Sequence, residues 1–278
     1  MTLSESIALE TALVAIGSAW GSFLGILADR IPKGKSILFP GSHCNSCYHR
    51  LTAADLVPFK AWIVNGGRCT YCTARIDPQT LLSELATAFL FSILPFFLPD
   101  MKRIILLVIF FSFAFPLTLI DIRFRRLPHK LTWSASLIGV LYTWDSSVTS
   151  SFFTGIIPSV LGFVAGFLPL GLLAFLYPRG MGMGDAFWLG AIGTFVGPVG
   201  VLQTLLLSSF GATVASILFF LAYKSKHKNI SLRTMNVPFG PFLSAAGMAV
   251  ILWQPVLDQW GNILSHTLLM MTGIEGKA

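Results

Sequence analysis

Charge is the scarcest property of this 278-residue chain. Only 11% of its residues are Asp, Glu, Lys or Arg, and 12 are acidic, against roughly 25% charged residues in soluble domains. With 54% hydrophobic residues, the apolar surface exceeds what a water-soluble core of this size can hide. That excludes a soluble globular protein and predicts an all-α polytopic membrane protein. Cysteine is equally sparse: there are four, all between positions 44 and 72. There is no Gly-rich dinucleotide-binding pattern, no internal repeat and no low-complexity tract. No basic n-region precedes the first apolar stretch, which begins after Glu10, so that stretch is expected to be retained as a helix.

Charges punctuate what remains, and the uncharged runs between them mark the spans. Residues 11–28 end at Asp29-Arg30. Further runs cover 85–99 (starting near Gln79 if Glu84 sits at the interface), 104–120, 131–144 and 153–176. The run 186–223 is too long for one crossing, since about 20 residues span a bilayer. Gly197-Pro198-Val199-Gly200 should break it in two. With 234–257 this makes about eight transmembrane helices, and the amphipathic tail 258–278 stays ambiguous. The expected organisation is a first transmembrane helix over 1–28, a loop domain over 29–79 and a transmembrane core over 80–278. If the 29–79 loop is cytoplasmic, all but Lys102, Arg103 and Lys277 of the 19 basic residues lie inside. The positive-inside rule selects that orientation, with both termini outside.

The cysteines read Cys44-Asn-Ser-Cys47 and Cys69-Thr-Tyr-Cys72. Two CxxC pairs can offer four thiolates in the tetrahedral arrangement that zinc takes, and a closed four-sulfur shell folds a loop rather than catalysing. Two disulfides or idle thiols are the competing readings, and disulfides are disfavoured in a cytoplasmic loop. His43 and His49 read as solvated neighbours.

Two of the few carboxylates fall where spans meet the cytoplasmic side. Asp121 follows the apolar run 110–120, and Asp185 closes Gly182-Met183-Gly184-Asp185 ahead of the sixth span. Ionisable groups at membrane depth point to function. Two carboxylates held close share a proton, so one can act as base toward water while the other donates to a carbonyl oxygen. The bland readings are a helix N-cap for Asp185 and a headgroup-level pairing of Asp121 with Arg123 or Arg125. Glu84 reads either as a site residue or as a helix-end carboxylate paired with a basic loop.

In order along nearly the whole chain, these motifs resemble the type IV prepilin peptidase family. Gly21-Ser22-Phe23-Leu24 with Asp29-Arg30-Ile31-Pro32 is similar to its first-helix signature. Ser42-His43-Cys44 through Gly67-Arg68-Cys69, with Pro58 and Trp62, is similar to its zinc loop, and Ser83-Glu84-Leu85 to the start of its second helix. Leu119-Ile120-Asp121 with Leu127-Pro128 resembles the first catalytic motif, and Gly182-x-Gly184-Asp185 the second. Pro238-Phe239-Gly240-Pro241-Phe242 resembles the last-helix motif.

The resemblance implies an aspartyl endopeptidase of the bacterial inner membrane. Its substrates would be prepilins or pseudopilins, cut after a glycine to release a basic leader at the cytoplasmic face. N-methylation of the new terminus with S-adenosylmethionine is implied too. Asp121 and Asp185 become the catalytic pair. Gly182, Gly184, Pro238, Phe239 and Gly240 become substrate-side residues, and Asp55, Gly67 and Arg68 methyl-transfer residues. Cys44, Cys47, Cys69 and Cys72 hold structural Zn2+. The lipid bilayer is a partner and nucleic acid is not. The chain departs from the family at His129, usually Asp or Asn, at Phe187, commonly Lys, and at Leu56, commonly Asn. A transporter or partner-binding protein with a structural zinc loop is the competing class, and nearly charge-free spans count against it. A methyltransferase without peptidase activity would leave most of these motifs unexplained.

Overall fold

In a computed structural model of the chain, the described residues are 3–52, 54–98, 100–144, 156–177, 181–224 and 237–253. They form helices α1 (Leu3–Arg30), α2 (Lys60–Ile63), α3 (Pro78–Phe97), α4 (Met101–Phe124), α5 (His129–Trp144), α6 (Ile156–Leu176), α7 (Met183–Lys224) and α8 (Gly240–Trp253). Among the described residues no strand occurs, only two isolated bridges. The chain is all-α, as its composition requires. Among the described residues five helices, α1, α3, α4, α6 and α7, are long and apolar enough to cross a bilayer, while α5 and α8 are shorter. The lengths alone therefore do not establish eight crossings. Residues 258–278 lie outside the described part.

The chain divides into two compact units, Met1–Phe124 and Arg125–Ala278. In the first, α1 packs on α3 through Gly17, Gly21 and Gly25. A Cβ at Gly21 would run into the Thr87 hydroxyl and the Ser83 carbonyl oxygen. One at Gly17 would lie 2.8 Å from the Thr87 carbonyl oxygen, and one at Gly25 2.8 Å from Ser83 Oγ. Small residues one turn apart let two backbones touch, which is how helices associate where the hydrophobic effect is absent. Thr87 is fully buried and its hydroxyl donates to the Ser83 carbonyl at 2.5 Å, which removes the polar cost. The α1–α4 contact includes a bond from Trp20 Nε1 to Ser112 Oγ at 2.9 Å.

α3 begins with Asp77 as N-cap, accepting from the Gln79 N–H at 3.0 Å, and with Pro78 in its first turn. Proline there loses no helical bond. The Asp77 carboxylate also receives Arg123 Nη2 at 2.9 and 2.8 Å on its two oxygens. The start of α3 is thereby fixed against the end of α4. Arg123, a possible partner for Asp121 from sequence, is engaged by Asp77.

In the second unit α6 crosses α7 at glycines. A Cβ at Gly162 would strike Gly193 backbone, 2.7 Å from its carbonyl carbon, and one at Gly166 would lie 2.6 Å from the Leu189 carbonyl oxygen. α5 joins them through a Thr143–Ser159 hydroxyl pair at 2.5 Å and a close approach of Gly139 to Thr194. α7 has 42 residues, a length of about 63 Å if straight, twice a bilayer core. Its helical geometry fails at Gly197, with φ 71 and ψ 179, where the sequence places the break. Only glycine takes that conformation without penalty, and Pro198 removes the next donor.

Candidate active site and metal centre

The cysteine loop is built from two copies of one turn. In the first, the Cys44 N–H donates to His49 O and the Tyr48 N–H to Cys44 O, each at 3.0 Å. In the second, the Cys69 N–H donates to Ala74 O at 2.9 Å and the Thr73 N–H to Cys69 O at 3.0 Å. The bridges His43↔Arg50 and Arg68↔Arg75 close each turn. Tyr48 and Thr73 hold positive φ, 58 and 56, at matching places. The letters show only the paired Cys-x-x-Cys spacing and the following Arg50 and Arg75; the shared hydrogen bonds and backbone angles complete the repeat.

The two turns bring all four sulfurs within 4.8 Å of one another, with Cys44 and Cys72 Sγ 3.7 Å apart. A tetrahedral centre with metal–sulfur bonds of about 2.3 Å has sulfur–sulfur edges of about 3.8 Å. All four cysteines are free, which removes the disulfide reading. The electrostatics of the cluster suit a cation. Backbone N–H groups of Cys47 and Ser46 pull the Cys44 thiol down to about 6. At Cys72 the Ala74 N–H lowers the pKa, but desolvation and contacts with the sulfurs of Cys47, Cys44 and Cys69 outweigh it and push the thiol up to about 12. Thiolates held this close repel one another, and a bound cation would offset that repulsion. The four cysteines form a cluster able to hold one. Neither His43, bonded to Gly41 O, nor His49, against the Tyr71 ring, belongs to that cluster.

The residues assigned to methyl transfer gather around α2. Gly67, with φ 72, lies beneath the Trp62 ring, and a Cβ there would fall 2.7 Å from Trp62 Cε3. Its N–H donates to Ala61 O at 2.9 Å. Lys60 Nζ donates to Ala54 O at 2.9 Å, beside Asp55. The Asp55 carboxylate accepts from the Thr52 hydroxyl at 2.6 Å and the Thr52 N–H at 3.0 Å. The Thr52 hydroxyl, then its N–H, hold Asp55 below the ordinary carboxylate range. Arg68 is exposed, with Nη1 bonded to Thr73 O at 3.4 Å.

Asp121 lies in the last turn of α4 in the first unit, 6% exposed. Asp185 lies in the first turn of α7 in the second, half-buried, with its N–H donating to Gly182 O at 3.1 Å. Gly184 packs directly on the chain at Leu127, where a Cβ would sit 2.9 Å from Leu127 Cβ. The glycine turn and the Leu127-Pro128 segment are thus one contact, which explains why both motifs carry small or rigid residues there. Pro238 and Phe239 lead into α8 at Gly240, and the N–H groups of Phe242 and Leu243 close the first turn on Phe239 O. One turn past Asp185, fully buried Trp188 donates from Nε1 to Ser244 Oγ at 3.1 Å. That bond registers α8 against the helix that Asp185 opens. Nothing in the sequence pairs Trp188 with Ser244.

His129 and Phe187, two of the family departures, meet edge to face with ring centroids 4.9 Å apart. Phe187 also packs on Phe167 and Trp133 at 4.6 and 5.6 Å. They form one aromatic contact two residues from Asp185.

Residues 15–97 match the Bacterial Peptidase A24 N-terminal domain, and residues 107–217 match the Type IV leader peptidase family. A prepilin leader peptidase/N-methyltransferase of Dichelobacter nodosus is 30% identical over 250 residues, covering 87% of this chain and 82% of the relative. The Pseudomonas aeruginosa protein of the same description is 24% identical over 300 residues, covering 98% and 97%. An Escherichia coli type 4 prepilin-like proteins leader peptide-processing enzyme is 27% identical over 221 residues, covering 79% and 78%. No solved structure matches the chain. With two prepilin-peptidase family models matched in turn along it and a relative 30% identical over 87% of its length, the chain belongs to the type IV prepilin leader peptidase family.

Proposed function

We propose that this protein is an aspartyl endopeptidase that removes the basic leader of prepilins or pseudopilins after a glycine, with Asp121 and Asp185 as the catalytic pair. The observation that carries the reading is Asp121, a carboxylate 6% exposed at the end of a helix that is uncharged from Ile104 to Ile120. A carboxylate buried there without a chemical use would be a cost. In the cleavage step one carboxylate takes a proton from water as the oxygen attacks the glycine carbonyl. The other gives a proton to the carbonyl oxygen. Collapse of the tetrahedral intermediate expels the amine with a proton returned from the pair. At Gly182, where a Cβ would meet only the Asp185 carboxylate at 3.6 Å, an extended substrate backbone would approach Asp185, while Gly184 packs on Leu127; Pro238, Phe239 and Gly240 would be further substrate-side residues.

Cys44, Cys47, Cys69 and Cys72 would hold Zn2+, which fixes the loop and supplies no catalysis. The loop around Asp55, Gly67 and Arg68 carries methylation of the new N-terminal amine, with S-adenosylmethionine as donor. Asp55, partly exposed and held by Thr52, would help hold the donor. The charge distribution supports an inner-membrane protein with loop and site cytoplasmic and both termini periplasmic. The test is co-expression with a prepilin carrying a basic leader and Gly-Phe at the cut. Intact mass of the pilin would be read for wild type, Asp121→Ala and Asp185→Ala. Leader loss in wild type alone supports the mechanism, and normal processing by either variant refutes it.

A further inference from the structure

Glu84 is the buried carboxylate that cleavage leaves unused. It is 5% exposed, in the second turn of α3, where an ionisable group needs its lone pairs filled. Its Oε2 accepts the Phe59 backbone N–H at 2.9 Å, and the Ser22 side chain on α1 also bonds to it. No Lys or Arg pairs with it among the described residues, so the expected basic-loop partner is replaced by a backbone amide. Phe59 itself holds φ 61, a left-handed conformation that a bulky residue keeps only when its surroundings impose it.

The platform under Glu84 has no slack. The neighbouring Ser83 carbonyl lies against Gly21 of α1, and Thr87, one turn on, lies against the same glycine. On the loop side, Phe59 leads straight into α2. There Trp62 covers Gly67, the Gly67 N–H reaches Ala61 O, and Lys60 holds the carbonyl beside Asp55. One carboxylate therefore joins a rigid helix pair to the α2 segment that holds Gly67 and the chain beside Asp55.

We infer that Glu84 is a positioning residue for methyl transfer: its bond to Phe59 sets the cysteine loop's register on α1 and α3. The inference rests on the loop assignment made under the proposed function. Cleavage, carried by groups on α4 and α7, does not route through Phe59.

The experiment uses the full zinc-loaded protein in proteoliposomes with the Gly-Phe prepilin. Leader loss and methyl addition are read by intact mass, and hydrogen exchange is read over residues 54–64. A hydrogen bond to a charged group sets the scale at roughly 10–150-fold. Glu84→Ala should slow methylation by that order, expose the Phe59 amide to exchange and leave cleavage close to wild type. Glu84→Gln keeps an acceptor oxygen and should restore methylation and protection. Phe59→Gly in the Glu84→Ala background should regain part of the methylation, because glycine holds φ 61 unaided. Equal losses of cleavage and methylation, unchanged methylation with Phe59 still protected, or no gain from Phe59→Gly would each overturn the inference. A wild-type protein that cleaves but adds no methyl group would refute the loop assignment instead. Phe59 exchange in the Glu84 variants would then decide the docking by itself.

Discussion

Replacing Gly21 by alanine tests the α1–α3 contact with one methyl group. The added carbon would overlap the Thr87 hydroxyl and the Ser83 carbonyl oxygen and sit 2.7 Å from the Ser83 carbonyl carbon. Neither neighbour can yield cheaply. The carbonyl belongs to the α3 backbone, and the Thr87 hydroxyl is held to it at 2.5 Å. To restore ordinary carbon contact of about 3.5 Å, the helices must part by close to 1 Å, which forfeits about a quarter to half of the dispersion energy along the seam. Overpacking of this kind costs about 1–3 kcal/mol, against a helix-propensity gain of roughly 0.5–1 kcal/mol for Gly→Ala. Each kcal/mol moves the midpoint of a chain this size by about 2–4 °C. The expected result for purified protein in mild detergent, at a fixed scan rate, is a Tm lower by several degrees for Gly21→Ala. Gly171→Ala is the control, since its Cβ would meet only Phe167 ring atoms at 3.4 Å or more, and it should hold or raise Tm. A Gly21→Ala protein that melts with wild type would refute the close-contact argument.

Other expectations follow from the same geometry. After chelation at pH 7, iodoacetamide should alkylate Cys44 at least about tenfold faster than Cys72, because only the thiol lowered to about 6 is mostly thiolate there. Peptide mapping reads the ratio, and equal rates would contradict the crowded-thiol picture. Asp77 is held below the ordinary carboxylate range: burial raises its pKa, but the Gln79 N–H and Arg123 outweigh that. A depressed folded-state pKa stabilises above the unfolded value near 3.9 and loses that contribution as pH falls through the folded value. Asp77→Asn keeps the helix cap and should cost at most about 1 kcal/mol at pH 7, since the pair is solvent-screened. Its stability difference from wild type should close as pH drops below about 4, read by denaturant melts, and a difference constant down to pH 2 would rule out the ion pair. Trp188→Phe deletes the donor to Ser244 and should cost about 1 kcal/mol of stability, with slower leader cleavage in the mass assay. Unchanged cleavage would remove α8 registration from the site.

Much of this protein could be read along the chain because the signals are local. The cysteine cluster follows from two CxxC turns, since a turn of that length presents both thiols to one side. The break in α7 follows from Gly197-Pro198, which carries its own backbone constraint. Asp121 and Asp185 are legible because a carboxylate beside an apolar run needs a reason. Glu84 is less legible: the letters leave it either a site residue or the partner of a basic loop. Its partners are a backbone amide and a hydroxyl, groups that every residue or many residues offer and that no letter marks.

By itself, then, the sequence determined that the chain is helical and membrane-embedded, where its cysteines cluster and which aspartates sit at the ends of apolar runs. Each of these depends on composition or on residues close together in the chain. Tertiary structure decided the rest. It matched Gly17, Gly21 and Gly25 to Ser83 and Thr87, Asp77 to Arg123, Trp188 to Ser244 and His129 to Phe187. A glycine stripe or a lone tryptophan fits many partners equally well. The choice among them is made only when backbone proximity leaves one place where a hydroxyl, an amide or a ring edge can be satisfied.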